Sequence, residues 1–166
     1  QVNLAIIIDG SSSVNAAGFA LSKEFAKDAV DAFADENLFV NGGTASFAQF
    51  SNSATTGGTF DSQVTFDTFV DAKAQIFGGT NIATGVARGR ELLAAAPPST
   101  SDFMIVITDG NGGDPSTEAD AARAEGTTVI AVGVGGAPSQ STLLSIAGDA
   151  ANVYDVDNFS ELGGEL

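Results

Sequence analysis

Three short runs without a charged side chain punctuate this chain: residues 4–8 (Leu-Ala-Ile-Ile-Ile), 103–107 (Phe-Met-Ile-Val-Ile) and 128–134 (Thr-Val-Ile-Ala-Val-Gly-Val). A strand with one wet face alternates apolar and polar residues. A run that is apolar throughout suits a strand buried on both faces, as in a parallel sheet covered by helices. The segments between these runs carry helical periodicity. In residues 19–34, Phe25, Ala29 and Phe33 share one stripe, and Lys23, Glu24, Lys27, Asp28 and Asp31 lie largely on the other. Residues 65–76 are expected as a helix with Phe66, Phe69, Val70, Ala74 and Phe77 roughly on one side. Helices are also expected over 82–96, stopped by Pro97-Pro98, over 117–125, ended by Gly126, and over 139–147. Residues 44–50 read as a further strand. Residues 54–60, a short Asn/Ser turn later, read as its antiparallel hairpin partner at one edge. A last short strand is expected at 152–156, and a final helix starting at 159–162.

Alternating strands and helices imply right-handed crossovers. The expected architecture is therefore α/β: a doubly wound, mainly parallel sheet with one antiparallel edge strand and helices on both faces. At 166 residues, with no internal repeat or linker, the chain reads as a single domain over 1–166.

Composition narrows the chemistry. There is no His and no Cys. This removes Ser-His-Asp and Cys-His catalysis, disulfides, thiol nucleophiles and histidine or sulfur zinc sites. Six basic residues against 21 acidic ones give a formal net charge of −15. Such a surface opposes nucleic acid, whose binding rests on Lys and Arg, and opposes anionic membranes. It suits bound divalent cations, a salty medium or a basic partner, and solubility alone also accounts for it. No stretch approaches the roughly 20 apolar residues of a membrane span. The first residue is Gln and a strand begins almost at once, so the chain reads as a module of a longer or processed protein.

Small oxygen-bearing residues cluster at three expected strand ends or helix starts: Asp9-Gly10-Ser11-Ser12-Ser13, Gly78-Gly79-Thr80-Asn81 and Thr108-Asp109-Gly110. In open α/β sheets, ligands sit beyond the carboxyl ends of the strands. Asp9, Ser11, Ser13, Thr80 and Asp109 are therefore candidates to meet there as two carboxylates and three hydroxyls. An all-oxygen set of this kind suits magnesium, manganese or calcium rather than zinc or copper.

On these three motifs the chain resembles the von Willebrand factor type A (vWA) domain, a Rossmann-like fold. Asp9 to Ser13 is similar to the family's D-x-S-x-S motif, Thr80 to its threonine in a G-G-T-N setting, and Thr108-Asp109-Gly110 to its T-D-G. Further along, 131–135 resembles the family's fifth strand, and 144–147 with 153–154 its next helix and strand. Phe159 with Leu162 resembles the start of its last helix. The resemblance implies a metal-ion-dependent adhesion site (MIDAS). Ser11, Ser13 and Thr80 would be direct ligands, and Asp9 and Asp109 direct or water-bridged ligands. The divalent cation is expected to be Mg2+, with Mn2+ or Ca2+ as alternatives. Hydroxyl ligands leave most of the ion's charge unneutralised, so an open position can take a carboxylate from a protein or glycan partner. The chain departs from many relatives in having no Cys to tie its ends. Its last helix would meet Gly163-Gly164, so switching by a sliding last helix is not expected.

Other readings of the same residues are weaker. Gly78-Gly79-Thr80 lacks the G-x-G-x-x-G pattern and the Walker lysine of phosphate cradles. Asp9 as an aspartyl-phosphate nucleophile would want a second Asp nearby instead of clustered serines. Asp109, Asn111, Gly113, Asp114 and Asp120 resemble an EF-hand loop poorly, since the Gly falls early and the expected Glu is Asp, which leaves an accessory calcium contact. Asn158-Phe159-Ser160 is a glycosylation sequon. Tyr154 and the phenylalanines are expected mostly in the core, and Arg88, Arg90 and Arg123 on solvated helix faces. Two functions remain. One is a non-enzymatic adhesion or ligand-binding module, extracellular or at the cell surface. The alternative is a cytoplasmic assembly subunit of a chelatase or AAA-linked complex that docks its partner through the same site.

Overall fold

The computed structural model describes residues 1–159. In chain order the elements are β1 (Val2–Asp9), α1 (Ala16–Asp35), β2 (Thr44–Phe50), β3 (Gly58–Phe60), α2 (Gln63–Asp71), α3 (Ile82–Ala95), β4 (Ser101–Thr108), α4 (Ser116–Ala124), β5 (Thr127–Val134), α5 (Gln140–Ala147) and β6 (Val153–Val156), with a 3-10 turn over Ala150–Asn152. The six strands lie in the order β3-β2-β1-β4-β5-β6. Every neighbouring pair is parallel except β2 with β3, which is antiparallel. The expected doubly wound sheet with one antiparallel edge strand is what the chain forms.

The uninterrupted apolar runs are explained by burial on both sides. Leu4, Ile6 and Ile8 of β1 face one core with residues of α1 and α2, including Phe25, Val30, Phe66 and Val70. Ala5 and Ile7 face a second core with residues of α3, α4 and α5, including Ile82, Val86, Ala122, Leu143 and Ile146. Burying a Leu, Ile or Phe side chain contributes roughly 1.5–3 kcal/mol, so alternate residues of one strand bind two helical layers. Side-chain caps start three of the helices: Asn15 accepts from Gly18 N at α1, Ser62 from Thr65 N at α2 and Ser139 from Thr142 N at α5.

Several expectations needed correction. Helix α2 ends at Asp71, well short of residue 76. The chain over 72–81 is irregular because its backbone groups bond to side chains and loops of the strand ends, as described below. Phe77 does not continue an apolar stripe: it is 58% exposed, with φ of +56°. Tyr154 is exposed as well. The hairpin partner of β2 shrinks to Gly58–Phe60, plus a single bridge between Phe50 and Ala54. The arginines are partly covered and paired. Arg90 of α3 reaches Glu118 and Glu125 on and after α4, Arg88 pairs with Glu91, and Arg123 bonds the Ile146 carbonyl of α5 and Asp120. The expected final helix lies, apart from Phe159, outside the described residues.

Candidate metal centre

The strand order reverses direction of growth between β1 and β4, the position at which open α/β sheets form a crevice. In register, Ile8 of β1 pairs with Ile107 of β4, so Asp9 and Thr108 end their strands side by side. Asp9 is 1% exposed and each of its carboxylate oxygens accepts a hydrogen bond. Oδ1 accepts from Ser11 N at 2.9 Å, and Oδ2 accepts from Thr108 Oγ1 at 2.7 Å. The first of these bonds folds residues 9–11 into a turn at the strand end, which carries Ser11 and Ser13 to the rim ahead of α1.

From there a continuous string of oxygens crosses the crevice. Thr80 Oγ1 donates to Ser11 Oγ at 3.1 Å, Ser11 Oγ and Ser13 Oγ are 3.0 Å apart, and Ser13 Oγ donates to Asp109 Oδ1 at 2.7 Å. The structure thus brings four of the five expected residues into direct contact, and ties Asp9 to them through the backbone of Ser11. Ser11 is buried, Thr80 and Asp109 are half-buried, and Ser13 is exposed, so the string opens to solvent at one side. Removal from water pushes the Asp109 carboxyl above its ordinary value; the hydrogen bond from Ser13 opposes this, and the charge of Asp9 adds to it.

Residues that no motif announced hold this arrangement. Gln49, 1% exposed on β2, donates from Nε2 to Ala74 O at 2.7 Å and accepts at Oε1 from Ile76 N at 3.2 Å. Its amide thus pairs with residues 74–76 much as a neighbouring strand would. Gln75 then donates from Nε2 to both Ser11 O (2.8 Å) and Val14 O (2.7 Å), fastening that segment to the serine loop. Gly10 admits the Gln49 side chain: a Cβ there would lie 2.4 Å from Gln49 Oε1. Gly112 lets the third loop approach the second, since its Cβ would fall 2.0 Å from the Thr80 carbonyl oxygen. Asn81 N bonds Ser51 O, and Ile82 N bonds Gly112 O, which anchors Thr80 on its C-terminal side. Thr108 was legible only as part of a motif; its hydroxyl turns out to hold Asp9.

The donor set can be tested against an ion. Three hydroxyls and two carboxylates, all oxygen, fit a hard divalent cation of the magnesium, manganese or calcium kind. The spacings of 2.7, 3.0 and 3.1 Å are those of hydrogen bonds between neighbouring oxygens. Only two of the five residues are carboxylates. Among the described residues no group of three or more His, Cys, Asp or Glu comes together. The accessory calcium loop finds no support: Asn111 bonds Ala137 O and Ser139 N, Asp114 accepts from Ser116 N, and Asp120 pairs with Arg123. A cavity of about 450 Å³ lined by Val2, Phe33, Leu38 and Phe103 lies at the opposite end of β1 and β4, apart from these oxygens. No described helix is long and apolar enough to cross a membrane.

Comparison with known proteins bears on the family and the fold. The sequence matches the von Willebrand factor type A domain over residues 3–165. It is 29% identical to the collagen alpha-6(VI) chain of Mus musculus over 98% of its own length and 7% of that chain. It is 32% identical to cochlin of Cavia porcellus over 83% of its length and 26% of that protein. The chain therefore spans only a small part of these relatives. Among solved structures, proximal thread matrix protein 1 from the mussel byssus superposes with a TM-score of 0.88 at 28% identity, covering 99% of this chain and 45% of that one. A second structure of that protein, with a zinc-occupied MIDAS motif, superposes with a TM-score of 0.81 at 25% identity, covering 99% and 43%. In that relative, at least, such a site accepts zinc.

Proposed function

The chain belongs to the von Willebrand factor type A family, and from that membership and the geometry of its oxygen string we propose that it is a non-enzymatic adhesion or ligand-binding module. It would bind an acidic group of a protein or glycan partner through a divalent cation. The observation that carries this reading is the chain of contacts Thr80–Ser11–Ser13–Asp109 at the switch point of the sheet. Ser11, Ser13 and Thr80 would hold the ion through their hydroxyls. Asp109 would hold it directly or through water, and Asp9, whose two oxygens already accept from Ser11 N and Thr108 Oγ1, would act through water and by positioning Ser11. Magnesium is the ion the family resemblance implies, with manganese and calcium as alternatives; the zinc-bearing relative adds zinc to the ions to be tried.

Neutral hydroxyls dominate the set, so an ion held here keeps enough charge to draw a carboxylate from outside. The chain has no His or Cys for general base or nucleophile chemistry, which supports a binding role over a catalytic one. The names of its relatives, collagen chains and a byssal thread matrix protein, support an extracellular setting within larger chains over the cytoplasmic alternative. The test uses neutral beads bearing many copies of a blocked Gly-Ser-Glu-Ser-Gly peptide, multivalency compensating for weak single contacts. Capture of the protein in magnesium, lost in EDTA and in Asp109→Ala, is expected. Equal capture with and without EDTA would overturn the reading.

A further inference from the structure

Beside the oxygen string the chain does something that its own folding does not explain. Phe77 adopts φ of +56°, a left-handed conformation that residues with a β-carbon avoid and that glycine or asparagine adopts more readily. Its ring is 58% exposed, belongs to neither core and takes part in none of the aromatic contacts found among the described residues. Ile76 before it is 39% exposed. Among the exposed large hydrophobics of the described residues, these two are the consecutive pair. They are also pinned to the candidate metal centre. Phe77 N donates to Gly10 O at 2.9 Å, Ser12 N donates to Gly78 O at 2.9 Å, and Gly78 N donates to Ser12 Oγ at 2.9 Å. Gln49 fixes Ile76 from the other side through Ile76 N. A bulky apolar residue tied in an unfavoured conformation, more than half exposed at a rim and outside both cores, is a feature whose reason is sought in what it meets.

We propose that Ile76 and Phe77 form the apolar half of a composite docking surface whose other half is the metal centre, and that the partner is a protein segment presenting a single carboxylate beside an aromatic or aliphatic side chain. This rests on the metal-dependent reading above and extends it to the partner's chemistry. Charge decides the class. The chain carries a formal net charge of −15, so a uniformly anionic polymer such as a polyuronate is repelled along its whole length. A protein segment can offer one acidic group among uncharged neighbours. Contact with Ile76 and Phe77 then adds attraction that salt does not screen, next to an ionic contact that salt does weaken. The rigid backbone ties mean that little order has to be gained on binding.

The experiment compares three ligands on an uncharged bead matrix at matched carboxylate density: the Gly-Ser-Glu-Ser-Gly peptide, a Gly-Phe-Glu-Phe-Gly peptide, and polygalacturonate. Each is probed in magnesium and in EDTA with the wild type and with Phe77→Gly, a variant that removes the ring while easing the positive φ. Metal-dependent capture by the Phe-containing bead, at least about threefold tighter than by the Ser-containing bead, is expected. That advantage should vanish in Phe77→Gly, read as the ratio of its metal-dependent capture by the two peptide beads falling to about one. A preference for the Phe-containing bead that persists in EDTA, or that survives in Phe77→Gly, overturns the inference. Equal metal-dependent capture by the two peptides overturns it and leaves the metal-dependent reading standing; polygalacturonate bound as tightly as the Phe-containing bead does the same, in favour of a glycan. Capture by no bead in magnesium overturns both.

Discussion

Gly112→Ala should damage a site in which Gly112 contributes no ligand. A Cβ on residue 112 would stand 2.0 Å from the Thr80 carbonyl oxygen and 2.8 Å from its carbonyl carbon. Carbon and oxygen settle at about 3.3 Å or more, so the two loops must part by about 1.3 Å. The obstacle is backbone, which cannot swing aside as a side-chain tip can. Relief of such overpacking costs about 1–3 kcal/mol, or about 2–12 °C in Tm for a domain of this size. Metal–ligand distances tolerate only about 0.2 Å, so moving Thr80 should reduce affinity for the cation at least tenfold. The control lies two residues away: at Gly110 the nearest atom to an added Cβ is Thr80 Oγ1 at 3.8 Å, an ordinary contact. Thermal melts and magnesium titrations of both variants measure the effect. Gly112→Ala binding the ion as tightly as the wild type, or Gly110→Ala losing as much as Gly112→Ala, would show that loop approach does not set the position of Thr80.

The two aspartates should separate. Asp9→Ala leaves the buried Ser11 N without its acceptor, at about 1–3 kcal/mol, and takes from Thr108 Oγ1 its shorter bond, leaving Gly110 O at 3.2 Å, so its melt in EDTA should fall by several degrees; Asp109→Ala, half-buried, should melt close to the wild type in EDTA yet gain nothing from added cation. Gln75→Ala removes the donor to Ser11 O and Val14 O and should cost about 1–3 kcal/mol by denaturant titration. Arg90 holds the Glu125 carboxyl below its ordinary value. Stability from that pair is present above the ordinary Glu range and is lost as pH falls through the depressed value, so Glu125→Gln should flatten that part of the acid limb in pH-dependent melts. An acid limb unchanged in the variant would mean that the pair contributes nothing measurable.

The fold was legible where burial is two-sided. Runs such as 4–8 and 103–107 have few other uses, and the sheet formed around them as expected. The reading failed where apolar periodicity outlasted the helix: Ala74 and Phe77 continue the stripe of α2, but the buried amide of Gln49 binds the backbone of 74 and 76 and the helix stops at Asp71. The motif residues were legible because short oxygen-bearing side chains at strand ends have a recognisable spacing. Gln49, Gln75 and Gly112 were not, since an amide bonding distant backbone groups, or a glycine admitting a distant carbonyl, leaves no local pattern. The pairing of Arg90 was not legible for a related reason, because its acids lie 28 and 35 residues away.

Isothermal titration of metal-stripped protein with magnesium, manganese, calcium and zinc, beside Asp109→Ala, tests the central claim most directly. One saturable site in the wild type, tightest among the first three for magnesium and lost in the variant, is the predicted result. Heats without saturation, or a site that Asp109→Ala leaves intact, would contradict it.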